Sequence, residues 1–193
     1  MKCKVVVICV LGVLFLFNST QVWAQAEAPK TGLRVEVLLS LTDAENKLVA
    51  LAEKFPQDKY GWRPMEGVRS PSEVFMHVAA TNFRYPRLLG VQAPAGLPQN
   101  FEQVTEKAKV IDLLKQSFAF IKQSVMNLPD ADLGKSVRVY GRDSTYEGVL
   151  IVMLQHAHEH LGQSIAYARM NHIVPPWTEE AEQRRQQAPK KSP

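Results

Sequence analysis

Apolar side chains alternately three and four residues apart allow a segment one regular structure, a helix with a single greasy stripe. In residues 33–55 that spacing joins Val37, Leu41, Ala44, Leu48, Leu51 and Phe55. In residues 104–128 it joins Ile111, Leu114, Phe118, Ile121, Val125 and Leu128. Stripes of this kind pack helices against one another in a bundle, so the spacing predicts an all-α chain with no substantial sheet.

Two further helices announce where they begin. Ser70-Pro71-Ser72-Glu73 places a capping hydroxyl, a proline at the first helical position and a glutamate three residues past the cap. Ser144-Thr145-Tyr146-Glu147 repeats the serine-to-glutamate spacing. In each, the serine oxygen accepts from an orphan N–H while the glutamate reaches back to the cap. The last helix is expected over residues 145–171, ending before Val174-Pro175-Pro176. Only Ser136 to Tyr140 alternates like a strand. Residues 178–193, rich in Glu, Gln, Arg, Lys and Pro, read as a polar tail, disordered after its first turn.

The N-terminus reads as an export signal. Lys2 and Lys4 precede an apolar run from Val5 to Phe17, and Val22-Trp23-Ala24 offers a small-residue cleavage site before Gln25, with a second after Ala26. The apolar run falls short of the roughly 20 residues that span a bilayer, which favours cleavage over a retained anchor and leaves no stable membrane span. The expected organisation is a signal peptide over 1–24, a linker over 25–32, a bundle over 33–177 and the tail. Such a chain is periplasmic or secreted. Both cysteines, Cys3 and Cys9, lie inside the signal, so the exported part has neither disulfides nor thiolate ligands. Loss of Lys2 and Lys4 lowers the formal charge from +4 to +2, and no basic stripe with interleaved aromatics marks a nucleic-acid surface.

Three of the five histidines fall on stripes expected to face inward. The last helix reads Tyr146, Val149, Met153, His156, His160, Gln163, Tyr167 along one face. His156 and His160, four apart, emerge one turn above the other, a spacing that lets two nitrogens reach one ion at the roughly 2.0–2.1 Å of a zinc–imidazole bond. His77 follows Val74 on the second helix and precedes Thr81 and Tyr85. Bundles build metal sites from such inward side chains. A histidine on an apolar stripe is also a common core residue bonded to a neighbour, and residue types alone leave both readings open.

Three short motifs in order carry a resemblance. Lys59-Tyr60-Gly61-Trp62-Arg63-Pro64 leads through Gly67-Val68-Arg69-Ser70 into Glu73-Val74-Phe75-Met76-His77-Val78. His156-Ala157-His158-Glu159-His160-Leu161-Gly162-Gln163 follows, and Asn171-His172-Ile173-Val174-Pro175-Pro176-Trp177 closes. Together they resemble the DinB-like, or YfiT-like, superfamily of metal-binding four-helix bundles, from Leu33 to Trp177. The resemblance implies an up-down bundle with an interior ion on His77, His156 and His160. Coordination positions then stay open for water or substrate. Leu161 stands where the family often has arginine. His158, some 200° around the helix from His156, reads as solvated, and His172 as a residue of the frayed helix end.

Three neutral nitrogens and an open position suit a catalytic divalent transition metal: zinc or nickel first, with iron and copper also compatible. Glu159 and Gln163 are the candidate catalytic neighbours, Glu159 as a base and Gln163 as a hydrogen-bonder to ligand or water. The leading expectation is a metal-dependent hydrolase of a small-molecule substrate. The alternatives are a non-catalytic metal-binding or stress-associated module, and a transferase using a small-molecule co-substrate, since family members include thiol transferases. His156-Ala157-His158-Glu159-His160 also fits the H-x-x-E-H pattern of inverted zinc peptidases, but too little chain follows His160 for that architecture. Similar bundles often pair, so a homodimer is expected.

Overall fold

The computed structural model describes residues 31–187; the expected signal peptide and nearly all of the expected linker lie outside them. The helices are α1 (Leu33–Lys54), α2 (Pro71–Arg84), α3 (Lys107–Asn127), α4 (Tyr146–Met170) and α5 (Pro176–Gln187), with a hairpin of β1 (Ser136–Val139) and β2 (Arg142–Thr145) before α4. No helix among the described residues is long and apolar enough to cross a membrane.

The α1 stripe is the core. Val37, Leu41, Ala44, Leu48, Leu51 and Phe55 are all fully buried, against Phe75, Leu114, Phe118, Ile121, Leu150 and Met153 from the other helices. On α3 the buried face includes Val110, Leu113 and Leu114, while Ile111 is only half-buried.

The helices do not alternate up and down. Both α1 and α2 pack on α3 and α4, so the helices circle the core in the order α1, α3, α2, α4. Arg34, at the start of α1, donates to the Met126 carbonyl at 2.9 Å and to Asp130 at 2.6 Å, at the end of α3. Lys107, at the start of α3, donates to the Glu53 and Phe55 carbonyls at the end of α1, both at 2.7 Å. Hence α1 and α3 are antiparallel. The turn after α1 holds the starts of both α2 and α3: Ser72 N–H donates to Tyr60 O at 3.1 Å, and Lys107 N–H to Gln57 Oε1 at 2.8 Å. Thus α2 and α3 run together, and α4, antiparallel to α2, runs with α1. The expected up-down bundle is corrected to up, down, down, up, with the α1–α2 and α3–α4 connections crossing diagonally.

The capping box of α2 forms as expected: Glu73 N–H donates to Ser70 Oγ at 3.4 Å and Ser70 N–H to Glu73 Oε2 at 2.8 Å, with Pro71 at the first helical position. At α4 the cap is Thr145, whose hydroxyl accepts from Gly148 N–H at 3.3 Å, and not Ser144. Ser144 is engaged in the sheet, opposite Val137. The strand signal at Ser136–Tyr140 is half of that hairpin; its two-residue turn, Tyr140 and Gly141, has φ of 50° and 78°, the left-handed pair of a type I′ turn.

Residues 178–187 correct the expected tail: they are helical, in α5. Pro176 occupies the first helical position, Trp177 packs against the core, Glu179 pairs with Lys54 at 2.9 Å, and Glu180 lies 3.6 Å from Arg184 one turn on. These contacts stabilise a segment too polar to announce itself.

Candidate metal centre

The antiparallel run of α2 and α4 sets His77 opposite His156 and His160. The ring centroids are 5.0 Å apart for His77 and His156, 4.8 Å for His77 and His160, and 4.5 Å for His156 and His160. One nitrogen from each ring lies within 4.8 Å of one from both others. The Nε2 atoms of His77 and His156 approach to 3.1 Å. Two ligands on one tetrahedral zinc, each at roughly 2.0–2.1 Å, would stand about 3.3 Å apart, so the rings already sit close to a shared coordination sphere.

Neighbouring side chains fix two of the rings. His160 Nδ1–H donates to Gln163 Oε1 at 2.8 Å, which leaves Nε2 with its lone pair, and Gln163 Nε2–H donates to Tyr167 OH at 3.0 Å. Trp62, from the turn before α2, meets the Tyr167 ring edge-on at 5.5 Å. His77 Nδ1 faces the Glu102 carboxylate at 3.7 Å, and Arg69 holds that carboxylate at 2.8 Å. His156 has no such brace. Its Nδ1 is buried without a hydrogen-bond partner, and the Tyr85 ring stands edge-on to it at 5.5 Å.

The site disfavours protonation. Burial, the Arg69 guanidinium and His160 push the His77 pKa down to about 4. Burial, then His160 and His77, push His156 down to about 3. Both rings therefore present bare nitrogens at neutral pH, as ligands must. The donor set fits a borderline transition cation; His156 offers it Nε2, while its buried Nδ1 has no hydrogen-bond partner. His160 is 8% exposed, but the His77 side chain is 22% exposed, so the cluster opens to solvent on the α2 side.

Of the other candidates, Gln163 joins the cluster through His160. Glu159 does not: it is exposed on α4 and makes no hydrogen bond or ion pair among the described residues. His158 is exposed, with Nδ1 3.0 Å from the Leu154 carbonyl, and His172 is a turn residue at φ 58°. Glu102 escapes a reading of the sequence, because its connection carries no periodicity that would place it beside His77.

The sequence model of the DinB superfamily matches residues 40–164, well over half of the chain. The chain belongs to the DinB superfamily. Solved structures agree in fold. A DinB-like protein from Bacillus cereus superposes with a TM-score of 0.63 at 17% identity, over 72% of this chain and 93% of that one. A conserved protein from Enterococcus faecalis gives 0.62 at 16%, over 72% and 96%. A DinB-like protein from Bacillus subtilis gives 0.58 at 17%, over 73% and 96%. Among proteins of curated function, none matches. In this DinB-superfamily chain Leu161 is 6% exposed and belongs to the apolar core.

Proposed function

We propose that the chain holds a divalent transition metal, zinc or nickel before iron or copper, on His77, His156 and His160, and that it serves as a metal-dependent hydrolase of a small molecule. The observation that carries the reading is the convergence of three imidazoles, two of them kept neutral, at a place open to solvent along His77. Three protein ligands with a side left open are the pattern of catalytic rather than closed structural sites. When bound, such a metal supplies Lewis acidity toward water or a substrate oxygen.

The protein's own part is positioning. Gln163 sets the tautomer of His160, and Tyr167 anchors Gln163 in turn. The Glu102 carboxylate favours a proton on the Nδ1 of His77, which leaves Nε2 for the ion. The exposed position of Glu159 speaks against a base at that residue, and we assign it none. The Lys2–Lys4, apolar-run and Ala24 pattern supports export, with the activity in the periplasm or outside the cell.

The test is elemental analysis of protein purified from its native source, followed by hydrolase screening of metal-loaded and chelated samples. About one ion per chain together with a chelator-sensitive hydrolysis supports the reading. One ion without turnover reduces it to a metal-binding module, and no ion overturns it.

A further inference from the structure

A cavity is lined in part by Tyr85. It measures about 350 Å³ and lies between the end of α2 and the hairpin, within the range of small-ligand sites. Three arginines line it: Arg84 and Arg87 from the end of α2 and the turn after it, and Arg138 from β1. All three are exposed, and Arg84 and Arg87 form no ion pair among the described residues. Arg138 donates to the Gly141 carbonyl and has Asp143 at 3.8 Å, itself 96% exposed. No carboxylate lines the cavity. Leu88 and Val139 supply an apolar floor.

The position of the cavity ties it to the histidines. Tyr85 lines it and is also the ring that stands edge-on to His156 at 5.5 Å, so one aromatic side chain separates the two sites. The Tyr85 hydroxyl hydrogen-bonds that of Tyr140. Tyr140 is 66% exposed and sits at φ 50°, a conformation uncommon outside glycine, asparagine and aspartate. The type I′ turn of the hairpin requires that conformation, and it brings the Tyr140 hydroxyl to the Tyr85 wall.

We propose that this groove binds the oxyanion of the substrate, a carboxylate or phosphate attached to an apolar body, and so presents the rest of the molecule to the histidine cluster. The guanidinium forks match either oxyanion with two parallel donors, and Leu88 and Val139 cover the apolar part. This deepens the hydrolase reading and rests on it for the identity of the ligand as substrate.

Calorimetric titration of the chelated full chain separates the two ideas, because anion binding at the arginines needs no metal. The probes are phenyl phosphate, benzoate and neutral benzyl alcohol. At least one anion should bind while benzyl alcohol does not, and the tighter anion names the oxyanion class. The double variant Arg84→Gln/Arg87→Gln should weaken that binding by about tenfold or more, the scale of losing charge-assisted bonds. Arg138→Gln should weaken it in the same direction. Shifts of the Val139, Tyr140 and Gly141 amides on titration should map the site. Equal binding of the alcohol, unchanged affinity in the arginine variants, or no anion binding at millimolar concentration overturns the inference, whatever the metal experiments give. Anion binding to a chain that takes up no zinc or nickel when reloaded would instead overturn the hydrolase reading alone.

Discussion

His77 Nε2 and His156 Nε2 stand 3.1 Å apart, on helices that meet in antiparallel. Two neutral imidazoles at that separation share at most one proton between them, and the remaining lone pairs point into a space that His160 also faces. A cation there takes one lone pair from each of the three rings. Replacement of His77, His156 or His160 by alanine is therefore expected to weaken metal binding by more than the roughly 10–100-fold typical of losing an outer partner. His158→Ala, on the solvated face, should leave affinity unchanged. Competition with a chromophoric chelator measures both, and a dominant effect at His158 would contradict the assignment.

Gln163 holds His160 by its Nδ1. Gln163→Leu is expected to lower metal affinity by about 10–100-fold with little change in fold, because the ligand stays but its tautomer and orientation are freed. The same chelator competition checks it, with the circular dichroism spectrum as control. Wild-type affinity in the variant would show that the hydrogen bond does not orient the ligand.

The histidines also fix how the metal-free protein responds to acid. His77 and His156 titrate at about 4 and about 3 when folded, against roughly 6.5 when unfolded. Between those values the unfolded chain binds more protons, so stability falls as pH drops from about 6.5 through 4 to 3, and is independent of these groups above that window. In the presence of chelator, denaturant melts of a His77→Gln/His156→Gln variant should show a flatter pH dependence than wild type. An identical slope would mean that the two rings are not held neutral. The same shifts move metal release to more acidic pH than free histidine would give.

His172 has a structural task. It occupies the left-handed position just past α4, where His172 N–H donates to Arg169 O at 3.0 Å and Ile173 N–H to Ala168 O at 2.9 Å, the paired bonds of a Schellman motif. Glycine adopts that conformation without the roughly 1–2 kcal/mol that a side chain costs there, so His172→Gly is expected to stabilise the fold by about 1 kcal/mol and to leave metal affinity alone. Thermal melting and metal titration read the two effects separately.

The apolar spacing of α1 and α3, the Ser70–Glu73 box and the His156–His160 pair were legible because each depends on residues one or two turns apart; His77, 79 residues from His156, joined them through its inward stripe and the family resemblance. The Ser144-Thr145 pair was ambiguous because either hydroxyl can cap, and the structure gives the cap to Thr145, which accepts from Gly148 N–H. The order of the helices was hidden as well, since Arg34 with Met126 and Lys107 with Phe55 are contacts between distant segments that leave no local pattern. Glu102 and the arginine groove were out of reach too. Glu102 lies near a connection's end, and the groove joins Arg84 at the end of α2 to Arg87 in the turn after it and Arg138 on β1, so their juxtaposition is set by what the chain packs on rather than by periodicity. The helix at 176–187 rests on Trp177 and Lys54, one of them more than a hundred residues away.

Whether the cluster holds a metal is decided most directly by melting at pH 7, with and without chelator, on protein reloaded with one equivalent of zinc or nickel. An ion bound only by the native state, with free metal at a hundred times its Kd, adds about 2.7 kcal/mol. For a domain of this size that raises Tm by about 5–10 °C. The loaded protein should melt higher by that order, and His77→Ala should lose the difference. Coincident curves for loaded and chelated wild type would contradict the account and leave His77, His156 and His160 as three core histidines.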